Sequence, residues 1–281
     1  MILYRILGND IPLRHGAGQT LRDLAFILEN EPVLDGCQKR FLLNRIVDAE
    51  TEARLKAMID DAGLRWQAIP FVAAEFRHLN TLHEKALYLT NQNAARNRCL
   101  DAALADNDTV MPFDGQTFFP AEGWAMVTAA LAADADAKYL TVPMFRLIGN
   151  QRALASLTRV PVEDADHIRT EPQIVIRRGH DVRFNEHLTY GQANKIELLM
   201  RLGVPGPWDG WSGDLLDNIR ADVRTAPSRS FGRVREAGFV LRLESGNPNA
   251  DRDKAARAYA RLSGLSAFVA RVDESLKRAD H

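Results

Sequence analysis

The sequence predicts an α/β fold: a mostly parallel sheet with helices on both faces, followed by a C-terminal amphipathic helix. Three observations predict it. Short apolar runs ending in Asp, Asn or Gly alternate with helical patterns from residue 2 to residue 145. The links between them are short, as in successive crossover units. The chain of 281 residues, 46% hydrophobic and 26% charged, can bury one substantial core. Residues 1–247 are expected to form the main domain and residues 248–281 a helical tail.

Ile2 to Leu7 reads as the first strand, closed by Gly8-Asn9-Asp10. Thr20 caps a helix over residues 21–31, with Asp23 three residues on and Leu21, Leu24, Ile27 and Leu28 as its apolar face. Pro32 marks its exit. Phe41 to Val47 is the second strand, ending at Asp48. Leu55, Met58, Ile59 and Ala62 share one helix face, and Gly63 suits the position after its end. A third strand follows near Leu64 to Phe71, then a helix over residues 91–105, and Asp106-Asn107-Asp108 breaks the chain. Thr109 to Phe113 is a strand that stops at Asp114-Gly115. A helix around Trp124 to Ala133 and a strand from Tyr139 to Phe145 complete the regular half.

Residues 149–172 read as a long charged loop. A short strand, Gln173 to Arg177, follows. Ile196, Leu198, Leu199 and Leu202 favour a helix ending at Gly203; Leu215, Leu216, Ile219 and Val223 favour another; Gly238 to Leu243 is a late strand. In the tail, Ala255, Ala258, Leu262, Leu265, Val269, Val272 and Leu276 form a 3-4-3-4 stripe. That stripe fits a helix packed back on the domain or a homodimer contact. Gly264 weakens the helix by about 1 kcal/mol relative to alanine.

Composition excludes several classes. A net charge of −1 without a long Lys/Arg run argues against a nucleic-acid partner. Cys37 and Cys99 are far apart, which favours two reduced core thiols over a metal site or disulfide framework. The first apolar run contains Arg5 and is too short for a signal segment, and no run reaches the ~20 residues of a membrane span, so a cytoplasmic protein is expected. No Ser-His-Asp, His-Glu-x-x-His or Cys-x-x-Cys signature supports a protease or zinc enzyme.

In open parallel sheets ligands bind beyond the carboxyl ends of the strands, where this sequence places Asn9, Asp10, Asp48 and Asp114. Asn44-Arg45-Ile46-Val47-Asp48 closes one strand on an acid. Asn93-Ala94-Ala95-Arg96-Asn97 sets Arg-Asn after small residues on a helix. Met111-Pro112-Phe113-Asp114-Gly115-Gln116 closes another strand on Asp-x-Gln. In this order the segments resemble glycosyltransferases of the Rossmann-like GT-A fold, particularly the family 2-like enzymes. The stretch from Arg5 to Arg45, with Gly-Asn-Asp-Ile-Pro and Gly-Gln-Thr-Leu, is similar to a bacterial and fungal branch of that superfamily. The resemblance covers about the first 145 residues, with a weaker echo near residues 184–202.

The resemblance implies a transferase moving a sugar, with inversion, from a nucleotide-diphosphate donor to a hydroxyl acceptor such as a glycan. Asn9, Asp10, Arg14, Asp48, Arg96, Asp114 and Gln116 would bind the donor. Asp114 would carry Mg²⁺ or Mn²⁺, hard cations that take oxygen ligands. Gln116 replaces the family's second aspartate, and a neutral amide is a poorer metal ligand. The family's basic carboxylate falls near Asn194 or Lys195; Glu186 takes that role here, with Asp181 and Glu197 nearby as alternatives.

Chemistry adds further candidates. Guanidinium forks suit a diphosphate at Arg96. The segment Arg14 to Thr20 leads into a helix N-terminus and could hold an anion through Arg14 or His15. His187 is either a third metal ligand or a structural histidine. Trp208-Asp209-Gly210-Trp211 could stack and hydrogen-bond an acceptor sugar, or simply cover the core. Asp114 is expected to matter more to ligand binding than to folding. The rival reading is a non-catalytic nucleotide-sugar or glycan-binding protein of the same fold.

Overall fold

The computed structural model describes residues 1–104, 107–150, 167–179, 182–192, 195–225 and 233–279. Its regular half is β1 (Ile2–Leu7), α1 (Gln19–Asn30), β2 (Gln38–Asn44), α2 (Ala49–Asp61), β3 (Arg65–Ile69), α3 (Ala73–Arg77), α4 (Leu82–Thr90), α5 (Gln92–Leu104), β4 (Thr109–Asp114), β5 (Thr117–Phe118), α6 (Ala121–Ala133) and β6 (Ala137–Leu147). There follow β7 (His167–Arg177), α7 (Ile196–Arg201), a 3-10 turn (Pro207–Gly210), α8 (Asp214–Thr225), β8 (Arg233–Glu236), β9 (Val240–Arg242), α9 (Pro248–Arg252) and α10 (Lys254–Arg278).

The strands form one mixed, mostly parallel sheet in the order β3-β2-β1-β4-β7-β6-β9-β5, with β8 beside β6. β3, β2, β1 and β4 run parallel; β7 is antiparallel to β4 and β6. β1 is apolar on both faces, as a central strand must be. Ile2, Tyr4 and Ile6 pack with α5 through Ala95, Cys99, Leu100 and Ala103. On the other face Leu3 joins Met111, Phe113 and the α6 residues Trp124 and Val127, while Leu7 packs with Leu24 of α1 and Leu55 and Ile59 of α2. Arg5 is buried there too. Its guanidinium pairs with Glu31 at 2.7 Å, donates to the Thr117 carbonyl and lies over the Phe113 ring.

The differences from the sequence reading have physical causes. The second strand covers Gln38–Asn44 rather than 41–47, because Arg45 turns out of the sheet at φ 48. Residues 167–172 of the expected loop belong to β7, whose long pairing with β6 absorbs its charged residues; residues 151–166 of that loop lie outside the described residues. α3 and α4 were not anticipated; Thr81 and Glu84 start α4 with a reciprocal capping box. Cys99 is buried and Cys37 half-buried, both as free thiols.

The tail helix α10 packs back onto α4. Leu265, Phe268, Val269 and Val272 meet Ile11, Phe76, Ala86 and Leu89. Only the later part of the expected stripe is buried. Ala255, Ala258 and Leu262 are exposed, Leu262 by 65%, because this half of the helix leaves the core and borders the cleft described next. Among the described residues no helix is long and apolar enough to cross a membrane.

Candidate active site

A cleft of about 700 Å³ opens beyond the carboxyl ends of β1 and β4, where a doubly wound sheet is expected to bind ligands. Its floor is Ile6, Leu7, Gly8, Asp114 and Gly115. A Cβ on Gly115 would stand 2.5 Å from the Ile6 carbonyl oxygen, so glycine is what lets β4 end against β1.

Asp114 is the centre of the floor. One carboxylate oxygen accepts from Arg96 Nη2 at 2.9 Å; the other accepts from Gln173 Nε2 at 3.0 Å and Lys195 Nζ at 3.1 Å. Burial alone would push this carboxyl up, but Lys195, Arg96 and Arg242 outweigh it and hold it well below the usual carboxylate range. Arg96 is steadied by Asn93, whose Oδ1 accepts from Nη1 at 2.6 Å, and lies over the Phe184 ring. The asparagines of this region explain its composition. Asn91, Asn93 and Asn97 donate to the carbonyls of Glu186, Asn185 and Phe184 and so tie the 184–186 segment to α5.

Asn9, Arg96, Asp114, Gln116 and Trp211 are brought together in this cleft. The other expected site residues are placed elsewhere. Asp10 caps α1, accepting from Thr20 N at 2.9 Å and Thr20 Oγ1 at 2.7 Å, so a protein carboxylate already meets that helix N-terminus. Asp48 is the N-cap of α2, and its hydrogen bonds from Thr51 lower its pKa. Arg14 is fully buried behind the cleft wall against Asp251, at 3.3 Å. Glu186 is exposed outside the cleft lining and accepts from Asn97 Nδ2 at 2.6 Å. His187 is exposed, and its backbone N–H donates to Asn185. Trp208 is core, its indole N–H bound to the Val204 carbonyl, and Asp209 caps the 3-10 turn. Asp181 and Asn194 lie outside the described residues. Lys195, at the position where a base was expected, is a buried cation instead.

Several cleft residues had no clear sequence signal. Glu171 lines it from β7, with Arg242 Nη1 4.0 Å away. Burial raises its pKa, but Lys195, Arg242 and Arg261 outweigh that and keep it ionised. Arg242 comes from β9 and reaches Gln116 Oε1 at 3.4 Å. Arg257, Arg261 and Tyr190 complete the far wall. The alternation Arg169, Glu171, Gln173 was the available hint of a strand; the arginines of β9 and α10 gather only through tertiary contact.

Asp23 is the cleft's unusual acid. Its Oδ1 accepts from Gln19 Nε2 at 2.7 Å, its Oδ2 has no partner, and burial raises its pKa to about 7 against that hydrogen bond. The folded-state pKa exceeds the unfolded one of 3.8, so the native state keeps its proton longer and loses stability as pH rises towards and through 7. About three pKa units correspond to roughly 4 kcal/mol. Asp23→Asn is therefore expected to raise the melting temperature at pH 8 and to leave it nearly unchanged at pH 4, as read by thermal melts across that range.

A divalent metal does not fit Asp114 as it is arranged. Both oxygens are committed to donors, two of them cationic, and among the described residues no group of three His, Cys, Asp or Glu could hold an ion. A hard dication at this carboxylate would have to displace Arg96 or Lys195.

No protein-family model matches the sequence, and no curated protein matches it. Solved structures do match in fold. The mannosyltransferase PcManGT from Pyrobaculum calidifontis, in complex with GDP-Man and Mn²⁺, matches at 13% identity and TM-score 0.44, over 99% of this chain and 75% of that one. TarS of S. aureus matches at 11% and 0.41, over 99% and 92%. The inositol-1-phosphate CTP transferase from T. maritima matches at 9% and 0.36, over 92% and 95%. At these values the likeness, which includes GT-A glycosyltransferases and a nucleotidyltransferase, is one of fold alone.

Proposed function

We propose that the chain is a glycosyltransferase that takes a sugar from a nucleotide-diphosphate donor to a hydroxyl acceptor with inversion. The observation that carries this reading is the cleft at the ends of β1 and β4, which sets ionised Asp114 between Arg96 and Lys195. In this reading Arg96, Lys195 and Arg242 face the diphosphate, and Asp114 holds Arg96 and Lys195 in place for it. Guanidinium and ammonium donors fixed in a partly dry cleft stabilise the charge that develops on a leaving diphosphate. Those side chains are already positively charged, so donor binding in this reading needs no metal. Trp211 offers an indole face to the sugar.

Glu171 is the base we assign for the acceptor hydroxyl. It is ionised and faces the cleft, whereas Asp114 is saturated by its donors and Asp23 is only 2% exposed and keeps its proton up to about pH 7. A carboxylate on the acceptor side removes the hydroxyl proton as the oxygen attacks the anomeric carbon from the face opposite the leaving diphosphate.

Uridine or guanosine diphosphate is expected to raise the melting temperature. At about 100 times its dissociation constant the ligand adds about 2.7 kcal/mol. The shift should be equal in EDTA and in Mn²⁺. No shift with any nucleoside diphosphate at millimolar concentration would remove the donor site. A shift seen only with Mn²⁺ would remove the cation-only account. Hydrolysis or transfer of a bound nucleotide sugar separates the enzyme from a binding protein of the same fold.

A further inference from the structure

We propose that the far end of the cleft, walled by Arg242, Arg257, Arg261, His15 and Tyr190, is a subsite for a phosphomonoester carried by the acceptor. The word acceptor rests on the glycosyltransferase reading; the anion site does not.

The residues gather from distant parts of the chain. Arg146 of β6 and Arg242 of β9 are register partners on neighbouring parallel strands. Partners in register share a sheet face about 4.8 Å apart. Like charges placed so are destabilising unless something lies between them. Arg14 arrives from the loop after β1, and Arg257 and Arg261 are one turn apart on α10. Arg261 lies over the Tyr190 ring, its Cζ 5.5 Å from the centroid, and the His15 ring stands tilted to it with centroids 6.4 Å apart.

The counter-charges fall short. Among the described residues these five guanidinium groups meet three carboxylates, Asp251, Glu171 and Asp114, and Asp114 is shared with Arg96 and Lys195. One oxygen of Asp251 takes Arg14 at 3.3 Å and Arg146 at 3.1 Å; the other is used by the backbone N–H and hydroxyl of Ser245. Arg257 donates to the neutral carbonyls of Ala250 and Asp251. Donors are left over: Nε of Arg14, Arg146, Arg242 and Arg261, and the Tyr190 hydroxyl, are buried without partners. Arg242 is itself only 7% exposed and lines the cleft.

His15, Tyr190 and Arg257 respond as groups do in a positive field, whereas Arg242, against its own burial, is held above its ordinary value by Asp114 and Glu171. Burial and then the arginines Arg14, Arg242 and Arg261 push His15 well below its ordinary pKa, so it is neutral; its Nδ1 accepts from Ile11 N, which leaves the ring's Nε2–H as a donor. Burial pushes the Tyr190 phenol up, yet Arg261, Arg14, Arg242 and Arg146 bring it below its usual value. Burial and then Arg261, Arg14 and Arg242 lower Arg257 to about 10. A buried excess of cations is costly alone and favourable around an anion. A phosphomonoester brings nearly two negative charges and three terminal acceptor oxygens. A carboxylate brings one charge and two oxygens, which suits this excess less well.

The site adjoins the one around Asp114: Arg242 of β9 pairs in register with Thr117 of β5, reaches Gln116 Oε1 at 3.4 Å and is the shared wall, while Arg257 and Arg261 come from α10. A nucleoside diphosphate at Asp114 leaves the Arg257 and Arg261 end free.

Inorganic phosphate is titrated calorimetrically into the full chain, free and saturated with a nucleoside diphosphate. Phosphate is expected to bind in both. Arg261→Gln, at a half-buried side chain, is expected to weaken phosphate about tenfold while leaving the nucleoside diphosphate affinity within about threefold. Arg257→Gln provides a second reading should the first variant be unstable. Glycerol 3-phosphate should displace phosphate, and glycerol should not. Loss of phosphate binding on nucleotide saturation would reduce the two sites to one. Unchanged phosphate affinity in both folded variants would remove the arginine subsite. Phosphate binding without competition by glycerol 3-phosphate would leave a free-anion site and overturn the acceptor role. Failure of nucleotide binding with phosphate binding intact would count against the donor site alone.

Discussion

Asp114→Asn is expected to lower the melting temperature of the ligand-free chain by roughly 6 to 10 °C, the counterpart of about 3 kcal/mol at this chain length. The sequence suggests the opposite, a strand-end acid that the core does not need. The structure makes it the counter-ion of two buried cations. The Asp114 side chain is 15% exposed, and those of Arg96 and Lys195 are 5% and 3% exposed. Asparagine preserves the size and one acceptor oxygen but turns an amide N–H₂ towards a cation. Arg96 and Lys195 then stay buried without their charge partner, which costs more than the pair contributes. The double variant Asp114→Asn, Lys195→Met should recover part of the loss, because one of the two orphaned charges is gone. Thermal melts of the four chains of that cycle measure the coupling. Additive losses would show that Asp114 and Lys195 do not act as a pair. Nucleoside diphosphate binding should fall in Asp114→Asn as well, since Arg96 loses its anchor.

Gly264→Ala should destabilise the chain by about 3 kcal/mol, although alanine is the better helix former by about 1 kcal/mol. An added Cβ would stand 1.9 Å from the Pro12 carbonyl oxygen and 3.1 Å from Ile11 Cγ2. The nearest atom is backbone, so no side chain can swing aside. Relief requires α10 to lift from the loop after β1. That loop carries Arg14 and His15, and α10 carries Arg261 one turn before Gly264, so the same displacement opens the arginine end of the cleft. The expected result is a lower urea midpoint together with weaker phosphate binding. A midpoint at or above wild type would mean that α10 is not seated on Pro12 as described.

The strand–helix alternation of the first half was legible because each element is specified locally. β1 carries apolar residues on both faces, α2 is N-capped by Asp48, and Asp114-Gly115 ends β4. The small-residue helix with Arg96 was legible for the same reason, and the structure brings Arg96 and Asp114 into contact. Asp10 and Asp48 read as ligand contacts because capping acids and ligand-binding acids share one sequence position, the turn from strand to helix. Only the partner N–H groups, on Thr20 and Thr51, tell them apart. Trp208 was ambiguous in the same way, since an indole that stacks a sugar and one that fills a core look alike until its surroundings are known.

By itself the sequence determined the α/β class, the strands and helices of the first half apart from α3, α4 and β5, and the strand end where Asp114 stands, since periodicity, caps and glycines act over a few residues. The tertiary structure alone decided the arginine end of the cleft. Its members come from the loop after β1, from β6, from β9 and from α10, and pairing β6 with β9 and folding α10 back over Pro12 are long-range events. It also decided that Asp114 is neutralised by Lys195 rather than left open to a metal, because a carboxylate's role is set by which charges the fold places within about 3 Å of it.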